Sequence, residues 1–285
     1  MKAKELLSLL IQNGSKDRAH ALASKMPKEL QKEVLETEAD VKDLHFLFTP
    51  PEDQVAKVHY SWFLPLIESL SKETVPLAIG ALPEPQHTKI LKTLEKVKVK
   101  PLSLMARRYF LHYWLQDFFP SNLLPIEVLS QKNPLYPLLT ISRDTLLHLF
   151  DYLGLYDLAI EMRRIVDKQR LVRVGDALTP SKRHFLQMAM QQKERMTAKP
   201  LDLKQWDGDA KKLKRLVHER GLARLGGAVS GQSLHFVWHL THYLDKGRAE
   251  RFLKHYRPER SGEIRTLLTQ QVVAVLDYFE MRERR

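Results

Sequence analysis

The chain of 285 residues is 44% hydrophobic and 28% charged, values typical of a soluble globular protein. Its net charge is +12. It contains no cysteine, which excludes disulfide bonds, a thiol nucleophile and cysteine-ligated zinc or iron–sulfur sites. No apolar run reaches the roughly 18 residues of a membrane-spanning helix, and the N-terminal run is too short for a signal peptide, so no transmembrane segment is expected.

The N-terminal third contains a duplication. With a shift of 56 residues, residues 15–35 align with residues 71–91 without a gap, and both copies share a Ser-Lys-acid start and an apolar-Pro step. Each copy predicts a helix, a second helix capped by Ser15 or Ser71, and a turn whose proline begins a third helix. Because repeated helical units stack into one continuous core, residues 1–100 are predicted to form armadillo-like repeats. Chance agreement between two amphipathic segments is the alternative.

The second copy also carries a family likeness. Its sequence, FLPLIESLSKETVPLAIGALPEPQHTKILKTL with His59 ahead of it, is similar to the middle domain of the flagellar rotor protein FliG, which uses armadillo-like helices with a similar L-P-E turn. Two features depart from that family: His59-Tyr60-Ser61 stands where it favours His-Pro-Gln, and no charged motor-torque helix is evident. The resemblance therefore implies the architecture and not the motor function.

Residues 101–200 are predicted to form a central helical region, in which four helices lie between residues 134 and 191. Ser142 is expected to cap the first of these four helices, and we predict that Gly154 ends it and that a new helix starts directly afterwards. Thr179-Pro180 is expected to open the last one. Helices of this length cannot bury their apolar stripes alone, so the pattern predicts a packed bundle.

This central stretch carries a second likeness. The segment L-x-x-L-F-D-Y-L-G-L-Y-D-L-A-x-E-x-R-x-I-V-D-K, followed by L-T-P-S-K-R-H-F-L, resembles the SctK/YscK-like adaptors of the type III secretion sorting platform, above all their chlamydial-type members. The resemblance rests on packing residues. It implies a non-enzymatic scaffold in the cytoplasm that links the cytosolic domain of the inner-membrane ring protein to the pod protein of the sorting platform. Such an adaptor is peripheral to the inner membrane through its protein partners.

Residues 201–285 are predicted to form a basic helical region. Residues 1–160 carry 19 basic and 19 acidic side chains, whereas residues 161–285 carry 27 basic and 15 acidic ones. This asymmetry favours an acidic protein surface, nucleic acid or anionic lipid as a partner of the C-terminal half, with a merely solvated basic surface as the alternative. Within the region, residues 211–220 predict a basic helix that Gly221 ends.

The candidate partner-binding residues are basic side chains that we expect on exposed helix faces of the C-terminal half. They are Arg163, Arg164, Lys211, Lys212, Lys214 and Arg215. The alternative function is that of a basic α-helical nucleic-acid-binding protein, in which cations contact phosphates and Trp206, Trp238 and Tyr243 stack on bases. No helix-turn-helix, zinc-finger or ribonucleoprotein signature accompanies these residues.

The sequence gives little sign of a chemical site. His235, His239 and His242 recur at i, i+4 and i+7 on one helical face, where imidazoles can share a zinc ion, but no H-E-x-x-H motif accompanies them and packed or surface histidines are expected. The glycine-rich run 225–231 lacks the P-loop and dinucleotide fingerprints, and no nucleophile-elbow or paired-carboxylate motif occurs. The chain is therefore predicted to need no cofactor and to have no enzymatic activity.

The predicted fold class follows from composition and helix signals together. Only 11 glycines and 15 prolines, with few long β-branched runs and repeated helix caps, favour an all-α protein. We predict elongated armadillo-like helical repeats packed on a C-terminal helical bundle.

Overall fold

The computed structural model describes most of the chain from residue 51 onward and a short stretch before it. The described residues are 24–28, 30–32, 51–94, 97–99, 101–115, 118–120, 132–191, 206–258 and 262–283, with the single positions 123, 124, 126, 129, 201 and 203. Among these residues every regular element is helical and none forms a strand, which confirms the all-α prediction.

The α-helices are labelled in chain order. Those of the N-terminal part are α1 (Pro51–Lys57), α2 (Leu64–Glu68), α3 (Val75–Ala81), α4 (Gln86–Thr93) and α5 (Leu104–Leu115). Those that follow are α6 (Arg143–Met162), α7 (Lys168–Asp176), α8 (Pro180–Gln191), α9 (Ala210–Val229), α10 (Leu234–Tyr243), α11 (Lys246–His255) and α12 (Gly262–Glu283). Short 3-10 helices at Tyr60–Trp62 and Tyr136–Leu139 precede α2 and α6.

The chain divides into two compact units. The first comprises the described residues of Met1–Lys57 and Ile67–Gln131, and the second those of Val58–Leu66 and Lys132–Arg285. This boundary falls inside the predicted central region 101–200. As a result, α5 belongs to the first unit, whereas α6, α7 and α8 share a unit with the helices of the basic region.

In the first unit, α3 packs on α4 and α5, and α1 packs on α5. The core of this unit is apolar and includes Val55, Ile79, Ile90 and Leu111. The side-chain amide of Gln86, at the start of α4, donates to the carbonyl oxygens of Val55 and Ala56 at 3.2 and 2.7 Å. A buried amide thus ties the start of α4 to the end of α1.

The predicted duplication is only partly within the described residues. Most of the first copy, including Ser15, lies outside them. In the second copy α3 begins at Val75 and its N-cap position is Thr74. The carbonyl oxygen of Ser71 accepts hydrogen bonds from the N–H groups of Thr74 and Val75 at 2.9 and 3.1 Å. The side-chain hydroxyl of Ser71 forms a hydrogen bond with the hydroxyl of Thr74. The prediction that Ser71 caps this helix is therefore wrong, because its side chain bonds a neighbouring hydroxyl and not a free helix N–H.

The second unit is built around α6. Every residue of α6 from Leu149 to Ala159 is buried, because α8, α9 and α12 pack against it. As predicted, Ser142 caps this helix, and its hydroxyl accepts the N–H of Thr145 at 3.1 Å. Pro180 begins α8, also as predicted. A helix that is covered on all sides forms the centre of a domain rather than its surface.

Two glycines lie where α6 crosses α9. A Cβ atom on Gly154 would lie 1.9 Å from the carbonyl oxygen of Val217, and one on Gly221 would lie 1.7 Å from the carbonyl oxygen of Phe150. The two backbones are therefore in direct contact. The predictions that Gly154 and Gly221 end their helices are wrong, because α6 continues to Met162 and α9 continues to Val229. The absent side chain is needed here for close packing and not for a helix stop.

We expect Gly154→Ala to destabilise the protein strongly. Its new methyl group would overlap the backbone of α9, which has no rotamer to relieve the overlap, so the free energy of unfolding should fall by about 3 kcal/mol or more. Urea denaturation followed by far-UV circular dichroism measures this loss. Gly175→Ala in α7 is the matched control, since its Cβ would lie 3.9 Å from Nε of Arg183, and alanine there should be neutral or stabilise the helix by about 0.5–1 kcal/mol. Similar effects of the two substitutions would contradict the close crossing.

A second stability prediction concerns the apolar side of α6. Leu158 has no exposed surface, whereas Val166, just after the helix, is 93% exposed. Leu158→Ala should therefore cost about 2–5 kcal/mol of unfolding free energy, through lost burial and the cavity it leaves. Val166→Ala should stay within about 0.5 kcal/mol of the native chain. A Leu158→Ala effect as small as that of the control would mean that α6 is not the centre of the unit.

Candidate interaction surface

A buried carboxylate fixes α9 against α6 and α8. The carboxylate of Asp151 accepts hydrogen bonds from Nζ of Lys182 at 2.6 Å and from Nδ1 of His218 at 2.8 Å. Burial alone would raise the pKa of Asp151, but the hydrogen bonds from His218 and Lys182 hold it below its usual value. On its other side, Nε2 of His218 accepts from Nε of Arg248 at 3.1 Å. One side chain on each of four helices, α6, α8, α9 and α11, joins this network.

A second buried pair lies farther along the same two helices. Nε of Arg224 donates to the carboxylate of Asp157 at 2.9 Å, and its Nη1 donates to Oε1 of Gln271 at 2.5 Å. Arg224 is only 4% exposed. A charge buried to this degree must be paired, because its desolvation would otherwise cost several kcal/mol. The pair therefore connects α6 and α9 to α12 in one fixed arrangement.

The first turns of α9 lie on the surface. Asp209 caps the helix, and its carboxylate accepts the N–H of Lys211 at 2.8 Å. Leu213 and Val217 face the core, while Lys211, Lys214 and Arg215 are exposed and, within the described part of the chain, form no salt bridge. We call these three side chains the α9 cationic face. It contains three of the six predicted partner-binding residues.

The other predicted binding residues have different surroundings. Lys212 pairs with Asp207. Arg163 follows the end of α6, and its guanidinium donates to the carbonyl oxygens of Ala189 and Met190 at 2.9 and 2.8 Å, so it closes the end of α8. Arg164 is exposed and lies beyond the end of α6 rather than on α9. The six side chains therefore do not form one set.

The three histidines of α10 are not grouped as the ligands of a metal ion would be. The ring of His242 is stacked between those of Trp62 and Trp238, with centroid distances of 4.3 and 3.9 Å, and its Nδ1 is 2.8 Å from the carbonyl oxygen of Trp238. No group of three potential metal ligands, from His235 and His239 or from elsewhere, occurs among the described residues. Here His242 is a packing residue.

The segment that completes this stack was not predicted from the sequence. The N–H of His59 donates to the carbonyl oxygen of His242 at 2.8 Å, and Nε1 of Trp62 donates to that of Leu244 at 3.0 Å. Residues 58–66 thus belong to the second unit although they lie in the N-terminal third. The contacts span about 180 positions of sequence, and the only available signal was the density of aromatic residues.

The aromatic residues considered for stacking on bases are held by contacts within the fold. Nε1 of Trp206 donates to the carbonyl oxygen of Asp209, and Trp238 stacks on His242. The hydroxyl of Tyr243 donates to the carbonyl oxygen of Ile141 at 3.0 Å. These three rings therefore already have partners within the fold.

We expect the free energy of unfolding to fall as the pH decreases from about 6.5 to about 4. Burial lowers the pKa of His242 from 6.5 to about 4, so in this range the unfolded chain binds a proton that the folded chain does not. Stability from the neutral ring is complete above pH 6.5 and is lost on acidification. The slope should be about 1 kcal/mol per pH unit, below the full value because solvent partly screens the ring.

Urea denaturation at pH 7 and pH 5 tests this expectation. His242→Gln should lower stability at pH 7 but flatten its dependence on pH between these values. His148→Gln, at an exposed position of α6, is the matched control and should leave stability at pH 7 unchanged. An unaltered pH dependence in His242→Gln would show that this ring is not the group responsible.

Two findings complete the description of the site. No helix among the described residues is both long enough and apolar enough to cross a membrane. Comparisons with family models, curated proteins and solved structures produced no match for this chain.

Proposed function

We propose that this chain is a non-enzymatic adaptor of a type III secretion system. In this role it links the cytosolic domain of the inner-membrane ring protein to the pod protein of the cytosolic sorting platform. It is held in the cytoplasm beside the inner membrane by these protein contacts.

The main support for this proposal is the position, in the fold, of the residues that resemble SctK/YscK-like adaptors. The residues that carry it lie in α6, in the connection from α6 to the first residue of α7, and in the start of α8. Asp151 anchors α8 and α9 to α6, Gly154 admits the backbone of α9, and Asp157 pairs with Arg224. The likeness therefore involves positions that determine how the helices pack, and not hydrophobicity alone.

The α9 cationic face provides a means of recognition. Its three side chains are exposed and have no salt-bridge partner within the described residues, so an acidic protein surface can pair with them without first breaking an internal contact. Charges at the rim of an interface mainly speed association and make it sensitive to salt. We infer that the ring protein's cytosolic domain meets the adaptor through such an acidic surface.

We propose in addition that residues 15–35 and 71–91 are related armadillo-like units. In the second copy, the L-P-E turn shared with FliG lies between α3 and α4, and these two helices pack on each other. A neutral repeat region of this kind offers a second surface for a protein partner, without the motor function of the rotor protein.

Reversal of the α9 cationic face tests the proposal. Lys211→Glu, Lys214→Glu and Arg215→Glu combined should slow capture of the ring protein's cytosolic domain by about tenfold at physiological salt, because they replace attraction by repulsion. Acidic residues suit the first turns of a helix, so the melting temperature should stay close to that of the native chain. Surface-plasmon resonance at two salt concentrations measures the association rate.

The matched control is the combined reversal of Lys72, Lys92 and Lys98 to Glu. These lysines are exposed in the first unit, and their reversal changes the net charge by the same amount. Equal slowing by both triple variants would assign capture to net charge and contradict a specific face. Loss of nucleic-acid retention in the α9 variant, with capture of the ring protein intact, would favour the alternative function of nucleic-acid binding.

A further inference from the structure

An open groove of about 620 Å³ runs along α12 in the second unit. One wall is α12 itself, and the other consists of residues 133–134 and 231–232. Nδ2 of Asn133 donates to Oε1 of Gln232 at 2.6 Å, which holds the second wall together. Residues of α12 that line the groove include Arg265, Thr269, Val273 and Asp277.

Two opposite charges in this groove are unpaired. Arg265 is half-buried, and a Cβ on Gly231 would lie 2.3 Å from its Nη1, so the guanidinium lies directly against the backbone of the other wall. Asp277 is exposed. Within the described part of the chain, neither side chain has a hydrogen bond or salt bridge. A guanidinium placed in this way binds a planar carboxylate best, because it donates two parallel hydrogen bonds to it.

The spacing of the two charges restricts what can fill the groove. Arg265 and Asp277 are twelve residues apart on one helix, which is about 18 Å along its axis. An occupant must therefore place an acid at one end and a base at the other, about 18 Å away. Because they recur every four residues, Arg265, Thr269, Val273 and Asp277 form one row that is inclined to the axis of α12 by about 26°. A second copy of α12 that runs antiparallel and crosses the first at about 50° aligns the two rows. Arg265 then meets the partner's Asp277, Thr269 meets the partner's Val273, and the reverse contacts follow from the two-fold axis.

We propose that α12 is an interface between two copies of this chain, which associate with their α12 helices antiparallel across a two-fold axis. The net charge of +12 opposes association at low salt. At physiological ionic strength, however, repulsion beyond about 8 Å is largely screened, whereas pairs in direct contact within a groove are screened much less. Pairing of opposite charges in direct contact therefore determines which surfaces form the interface.

Sedimentation equilibrium of the full chain at physiological salt tests this interface. The native chain should show a reversible monomer–dimer equilibrium. Arg265→Glu and Asp277→Arg should each weaken dimerisation by about tenfold or more, a factor equivalent to about 1.4 kcal/mol, because each places like charges opposite one another twice.

An equimolar mixture of the two variants should restore the dimer. In the mixed dimer the new glutamate faces the new arginine, and the retained Arg265 and Asp277 face each other, so both pairs are complementary. The matched controls are Lys254→Glu and Glu250→Lys on α11, both exposed, which make the same charge changes and should leave the native equilibrium unaltered.

Three results would overturn the proposal. The first is a native chain that stays monomeric at every concentration. This result would overturn the proposal even if another molecule binds in the groove. The second is a dimer that survives both single reversals. The third is a mixture of the two variants that associates no better than either variant alone, since this would exclude the antiparallel pairing. Circular dichroism of each variant confirms that a lost dimer is not a lost fold.

Discussion

The direct contact between the backbones of α6 and α9 is the constraint on which the second unit depends. Gly154 and Gly221 leave no room for a side chain between the two helices, and the side chains of Asp151 and Asp157 beside the crossing are buried. Polar groups there must find partners in the protein, because an unpaired buried carboxylate or guanidinium costs several kcal/mol. Asp151 and Asp157, which flank the crossing on α6, are both paired with residues of α9. The close approach thus makes these buried polar contacts necessary, and the contacts in turn fix the register of the approach.

The two ends of α9 have different surroundings as a result of this arrangement. Its C-terminal part, from Gly221 to Val229, is buried except at Ala223, where it contacts α6, α11 and α12. Its first turns keep only Leu213 and Val217 in the core and leave their cations in solvent. A helix held rigidly at one end presents the side chains at its other end in a fixed position. The exposed cations at the start of α9 are therefore held in place by the buried end of the helix and not by contacts of their own.

Local features of the fold were predictable, and contacts between distant segments were not. The cap at Ser142 and the start at Pro180 depend on residues within one helical turn, so the sequence was sufficient. Whether a glycine ends a helix or admits another one depends on a segment more than 60 positions away, so Gly154 and Gly221 were misread. For the same reason Arg163 was predicted as a binding residue although it closes α8. Periodicity alone correctly placed the α9 cations on an exposed face, because burial follows the position around the helix.

The two proposed surfaces respond to charge in opposite ways, and this links them. In the proposed adaptor role, the α9 cationic face attracts an acidic partner, and this binding would weaken as salt rises. Association through α12 is opposed by the same positive charge, so screening favours it until the contact pairs themselves are weakened. An acidic partner bound to one copy lowers the charge that repels another copy. Binding and self-association should therefore support each other, and by linkage each must strengthen the other by the same factor. In this proposal, the basic composition of the C-terminal half acts both as an attractive surface and as a restraint on assembly before the partner is bound.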